Sequence, residues 1–180
     1  MKKISYSFLL LLLIIGNSAI AQKKDKTETY GHTINLGIGA GYIGILPVLY
    51  ANYEIDIAKN VTLAPFISFY TYRNHSVDNS GVKFYYHETA IPTGMKGMYY
   101  FDELLHVKPN WDLYAGASSG FAIINSSWDT GYTGSKDGFN GANPFFVNVH
   151  AGATYHFNNK AGAYLDLSDG LSTIGFTIHL

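Results

Sequence analysis

Seven side chains could do chemistry in a confined site: Glu54, Asp56, Glu88, Lys96, Asp112, His150 and Asp166. Each sits on the polar phase of a segment that alternates apolar and polar residues. Five are carboxylates and Lys96 is the one clear strand cation among them, so if enclosed they need Tyr, His or water partners, or they must hold a proton. The expectation is a structural polar cluster, with a narrow proton or ion path as the sharper alternative. His150 and His156 share a strand face, but residues six apart on a strand are roughly 20 Å apart, too far to bind one ion. Asp129 and Asp137 do not match an ordered calcium-loop spacing. Ser68, Ser118 and His150 are the residue types a hydrolase would use, yet no local motif fixes them in a triad. No catalytic, cofactor-binding or metal-ligating residue is therefore assigned, and no cofactor is expected. Trp128, Tyr132 and Phe139 lie among Gly, Ser and Asp between Asn125 and Pro144, and are candidate loop contacts for a partner.

These side chains must be held by strands. Eight segments alternate with period two: Thr33–Ile43, Val48–Ile57, Val61–Tyr72, Lys83–Phe101, Trp111–Ile124, Phe145–Phe157, Gly162–Ser168 and Leu171–Leu180. No comparable segment carries a helical stripe. One phase, running from Ile34, Leu36 and Ile38 through Val147, Val149 and Ala151 to Ile174, Phe176 and Ile178, has no charge. Every strand charge that can be placed falls on the other phase, interleaved with Gly, Ser, Thr and Tyr. A polar face meeting bulk water would carry many Lys and Glu; this one has the character of a cramped, hydrated interior, with the apolar face turned to lipid. Tight turns at Ala58–Asn60 and Asn158–Lys160 and a modest one at Asp102–Asn110 lie at one end. The long polar segments Arg73–Val82 and Asn125–Pro144 lie at the other. That asymmetry is the transmembrane-barrel pattern of short periplasmic turns and long outer loops. Tyr99, Phe101, Trp111, Tyr155 and Phe157 gather near one rim, and Tyr42, Phe69, Phe121 and Phe145 near the other, as two interfacial girdles would.

The start of the chain agrees with this reading. Residues 1–21 combine Lys2 and Lys3, the apolar run Phe8–Ile15 and Ala19-Ile20-Ala21, the three regions of a secretory signal peptide. Residues 22–32 are polar and read as a flexible lead-in, leaving residues 33–180 as one barrel domain. Cysteine is absent, which excludes disulfides and lipoprotein attachment. Without the leader, ten basic residues face thirteen acidic ones, which gives no support for nucleic-acid binding. Fifteen Tyr, eleven Phe and nineteen Gly with only 14% charged residues is unusual for a soluble domain, where roughly a quarter is charged. Beyond the leader no apolar run reaches eighteen residues, so membrane embedding must use strands.

Phe145 to Phe157, with the following Ala161 to Leu180, resembles the final three strands of small outer-membrane β-barrel proteins of the Bacteroidetes type, similar in architecture to OmpA and OmpX barrels. Ile91 to Phe101, ending Tyr99-Tyr100-Phe101, resembles that family's fourth strand. Such barrels usually finish on an aromatic residue that the barrel assembly machinery reads, whereas this chain finishes on Leu180 in the same phase. The resemblance implies an all-β, eight-stranded antiparallel up-and-down transmembrane barrel in the outer membrane of a Gram-negative cell, and brings no catalytic residues. The expected protein is a non-enzymatic monomer, surrounded by outer-membrane lipid, displaying loops for adhesion, surface protection or envelope integrity and open to an extracellular partner there. Two alternatives stand beside it: a soluble periplasmic lipocalin-like carrier with an apolar interior, and a lipid A-modifying barrel enzyme.

Overall fold

In the computed structural model the described residues are 30–41, 44–77, 81–107, 110–128 and 145–180. The expected signal peptide, most of the expected lead-in, and the loop candidates Tyr132 and Phe139 lie outside them. Eight strands form a closed antiparallel barrel in sequence order, each paired with its neighbours and β8 with β1: β1 (Thr33–Gly41), β2 (Gly44–Ala58), β3 (Val61–Val77), β4 (Lys83–Tyr100), β5 (Trp111–Trp128), β6 (Phe145–Asn158), β7 (Ala161–Ser168) and β8 (Ser172–His179). Closure leaves no free sheet edge, which is what lets strands cross a membrane.

The two phases fall on the two faces. Leu36, Ile38, Ile67, Val147, Val149, Leu167, Ile174 and Phe176 are exposed on the outside, while Asn35, Glu54, Thr62, Lys96, Ser118, Asn148 and Asp166 are buried inside. This overturns the apolar-interior carrier alternative, because the apolar face is the outer one. On β5 the mainly apolar outer residues run from Trp111 to Ile123, before Asn125 and Ser127. At strand rise and barrel tilt, that length gives a band of roughly 25–30 Å. One rim carries an aromatic cluster in which the Trp111 and Tyr155 rings are 4.9 Å apart and the Tyr155 and Phe157 rings 5.8 Å apart.

The connections at that rim are short. Lys59-Asn60 joins β2 to β3, with Asn60 in the left-handed region at φ 58° and a bulge at Asp56/Ala58 that adds twist. A four-residue helix, α1 (Asp102–Leu105), joins β4 to β5 and ends where His106 turns left-handed at φ 51°.

Strands at the other end run further than alternation alone suggests. Arg73–Val77 continue β3 and pair with Lys83–His87, and Asn125–Trp128 continue β5 against Tyr86–Thr89. The first half of the expected loop Arg73–Val82 is thus strand, projecting past the band, and the outward Thr71, Arg73 and His75 of β3 are polar because they have left the apolar layer.

Two prolines interrupt the ladders beside β3. Pairing of β2 with β3 skips from Asn52↔Phe66 to Ile55↔Leu63, at Pro65, and pairing of β3 with β4 skips from Ile67↔Thr93 to Tyr70↔Ala90, at Pro92. A proline has no N–H to donate, so each gap sits where a rung is lost.

Candidate functional site: the polar lumen

The barrel interior is filled by layers of polar side chains. Because inward residues alternate along every strand, barrel closure brings together groups far apart in sequence. At mid-height Lys96 on β4 forms a buried ion pair with Asp166 on β7. The same carboxylate accepts from the Tyr114 hydroxyl at 2.7 Å and meets His150 Nδ1 at 2.7 Å. On its other side, His150 Nε2 lies 2.8 Å from Ser118 Oγ. With Nδ1 donating to Asp166, a neutral ring accepts the serine proton at Nε2. Lys96 Nζ also sits 4.9 Å from the Tyr114 ring centroid.

Glycine makes room for this cluster. Gly152 stands opposite both Tyr114 and Asp166 in its two ladders, and a Cβ there would fall 2.2 Å from the tyrosine ring. A bare backbone at Gly152 lets the Tyr114 ring lie across β6 and place its hydroxyl on β7.

Toward the short-turn rim, Glu54 is buried and accepts from Asn35 Nδ2 at 2.5 Å, Tyr100 OH at 2.5 Å and Thr62 Oγ1 at 3.2 Å. Nearer that mouth, Asp112 bonds His156 at 2.6 Å, the His156 and His179 rings lie 5.0 Å apart in a tilted pair, and His179 Nδ1 lies 2.8 Å from Thr33 Oγ1. The end of the lead-in closes this mouth. Tyr30 is buried, stacks on Tyr100 at 4.1 Å and donates to Asp102 on α1 at 3.0 Å. Residues 30 and 31 are thus packed, where a flexible lead-in was expected. At the opposite end, Tyr50, Phe66 and Phe146 form an aromatic layer with centroids 6.0 and 6.2 Å apart.

Of the seven sequence candidates, Lys96, His150 and Asp166 converge on one network, Glu54 centres a second and Asp112 a third. Asp56 is not in the lumen cluster: it is exposed at the rim, where it accepts from the Gly31 backbone N–H at 2.8 Å. Glu88 lies apart, buried in the projecting end. Trp128, expected in a loop, is the last residue of β5 and points inward to stack on Tyr86 at 4.5 Å. Sequence reasoning missed Tyr114, Tyr100 and Tyr30, whose partners lie 46 to 72 residues away. His150 and His156 serve different carboxylates, and among the described residues no group of three His, Cys, Asp or Glu could hold a metal.

The closed polar-cored, apolar-coated ring defines the class: a small transmembrane β-barrel. One solved structure, with a TM-score above 0.5, agrees on the fold. A de novo designed transmembrane β-barrel matches with a TM-score of 0.51 and 13% identity, covering 86% of this chain and 99% of the design. Neisserial surface protein A is similar at 15% identity and a TM-score of 0.41, with 82% of this chain and 94% of that one covered. Yersinia pestis outer membrane protein Ail, in a phospholipid bilayer nanodisc, is similar at 9% identity and a TM-score of 0.42, with 82% and 97% covered. No protein-family model matches the chain, and no curated protein does.

Proposed function

We propose that this is a non-enzymatic outer-membrane protein, a monomeric barrel related to the OmpA/OmpX type, whose role is to hold the β3–β4 and β5–β6 connections above the membrane for adhesion, surface protection or envelope integrity. One observation carries the reading: the lumen is cross-linked shut by the Lys96–Asp166–His150–Ser118 network and by Glu54 with its three donors, while the outer face is apolar. A ring plugged at mid-height by such networks is a rigid post rather than a pore. Outer-membrane lipid and the barrel assembly machinery are its partners in this reading, and the projecting hairpin its means of meeting an extracellular one. Cell fractionation with gel mobility before and after heating tests it, together with planar-bilayer recording. The expected result is an outer-membrane, heat-modifiable band without steady conductance; a purely soluble fraction or a stable open channel overturns it.

A second reading rests on Ser118, His150 and Asp166, which stand in nucleophile–base–orienter order at 2.8 and 2.7 Å. An esterase of this kind would label at Ser118 with a fluorophosphonate and lose the label in Ser118→Ala. Against it, Ser118 is buried and Asp166 is engaged by Lys96 and Tyr114 as well. Absence of label in the folded protein leaves the triad a structural staple.

A further inference from the structure

Glu88 differs from the other inward carboxylates. Glu54, Asp112 and Asp166 each have donors or ion-pair partners. Glu88 is 0% exposed, yet neither of its carboxylate oxygens makes a well-aligned hydrogen bond; the Tyr72 hydroxyl beside it is its nearest donor, out of line, and the Tyr86 hydroxyl makes no bond. It lies on the inner face of the projecting end, directly across the ladders from Tyr72 on β3 and Ser126 on β5, and the Tyr86–Trp128 pair is one inward position further along. Tyr70 adds a further ring 6.3 Å from Tyr72.

No described cation answers this charge. Lys83, His87 and Arg73 occupy the opposite, outward phase of the same strands, and the Arg73 guanidinium lies 4.3 Å over the Tyr85 ring on that face. An enclosed carboxylate with no counter-charge and no well-aligned donor is costly, and a protein keeps one where something else completes it. The aromatic surroundings indicate what that is. A divalent metal wants several oxygen ligands, and one carboxylate with ring walls does not supply them. An alkylammonium ion fits, because ring faces attract it while the carboxylate neutralises it.

We propose that the Tyr70–Tyr72–Glu88–Tyr86–Trp128 box at the projecting end of β3–β4–β5 binds a small alkylammonium cation, with Glu88 as counter-charge and the tyrosine rings as walls. The box faces the lumen rather than the bilayer, so the cation comes from the aqueous mouth and not from a lipid headgroup.

The test uses the full folded chain in detergent carrying Trp111→Phe, which leaves Trp128 as the single tryptophan of the original two. Trp111 sits at the opposite rim, outside the box. Tetramethylammonium chloride is titrated against sodium chloride at equal ionic strength, with Trp128 emission and calorimetric heat as parallel readouts. The expected result is a saturable response to tetramethylammonium, none to sodium, and affinity at least ~10-fold weaker in Glu88→Gln, as loss of a charged partner predicts. Heat-modifiable mobility confirms that the variant folds; should it not, Tyr72→Leu takes its place with the same expected loss. No saturable signal in the parent chain, an equal response to sodium, or unchanged affinity in the folded variant overturns the proposal. So does a response only to ethanolamine-headgroup lipid in nanodiscs.

Discussion

Lys96 on β4 and Asp166 on β7 form a buried ion pair between two strands that share no ladder, so the contact braces the barrel across its interior rather than along its wall. Lys96 also lies near enough to Glu54 to attract it, which makes one ammonium the electrostatic centre of two carboxylates. Backbone pairing closes the ring; this contact fixes what fills it.

Removing only the cation strands its partners. Lys96→Met is therefore expected to cost about 3–5 kcal/mol, the usual penalty for leaving a buried charge unpaired. Adding Asp166→Asn should recover much of that loss, because the uncharged amide still accepts from Tyr114. Urea midpoints, read from the heat-modifiable band in detergent, check both. A single variant as stable as the parent would mean that Lys96 is a bystander.

The lipid-facing phase makes an opposite demand. Val149 is 61% exposed on β6 and Asn148 beside it is buried in the lumen. Val149→Lys near mid-depth is expected to cost about 2–4 kcal/mol in a bilayer. Asn148→Ser, a change of similar position on the other face, should leave assembly intact. Yield of folded barrel in isolated membranes separates the two; equal yields would put Val149 somewhere other than against lipid.

The alternation around Val149 was legible in the sequence because each strand's outer face meets one solvent and a period of two is all that is needed to sort it. Strand number and order follow from the same signal. The lumen was legible only as a set of charges. Which carboxylate meets which partner depends on the stagger of eight strands, and no local pattern encodes that Ser118 lies beside His150 or that Gly152 opens the way for Tyr114. The continuation of β3 through Arg73–Val77 was hidden for a different reason. Beyond the apolar layer both faces of a strand are wet, so Arg73 and His75 read as loop although their backbones are paired. Tyr30 was missed because a single aromatic in a charged lead-in has no period at all.

The break at Pro65 yields the last prediction. Thr93 Oγ1 donates to the Phe66 carbonyl at 2.9 Å, so Phe66 turns its peptide groups toward β4 and Pro65 turns its own toward β2, where Tyr53 would be its partner. An outward groove of about 400 Å³, lined by Ile34, Ala51, Tyr53, Pro65 and Ile67, marks the same place. In lipid a missing rung is expensive because no water replaces it. Pro65→Val restores the donor and suits an exposed, outward strand position, while giving up the restriction that proline places on the unfolded chain, about 0.4–1 kcal/mol. The restored bond should win, with a net gain of about 1 kcal/mol and a higher urea midpoint. Strong hydrogen-exchange protection of the amide newly present at residue 65 would locate the gain in the restored rung. A lower midpoint would show instead that the proline's fixed backbone, and not the rung it omits, is what this wall of the barrel depends on.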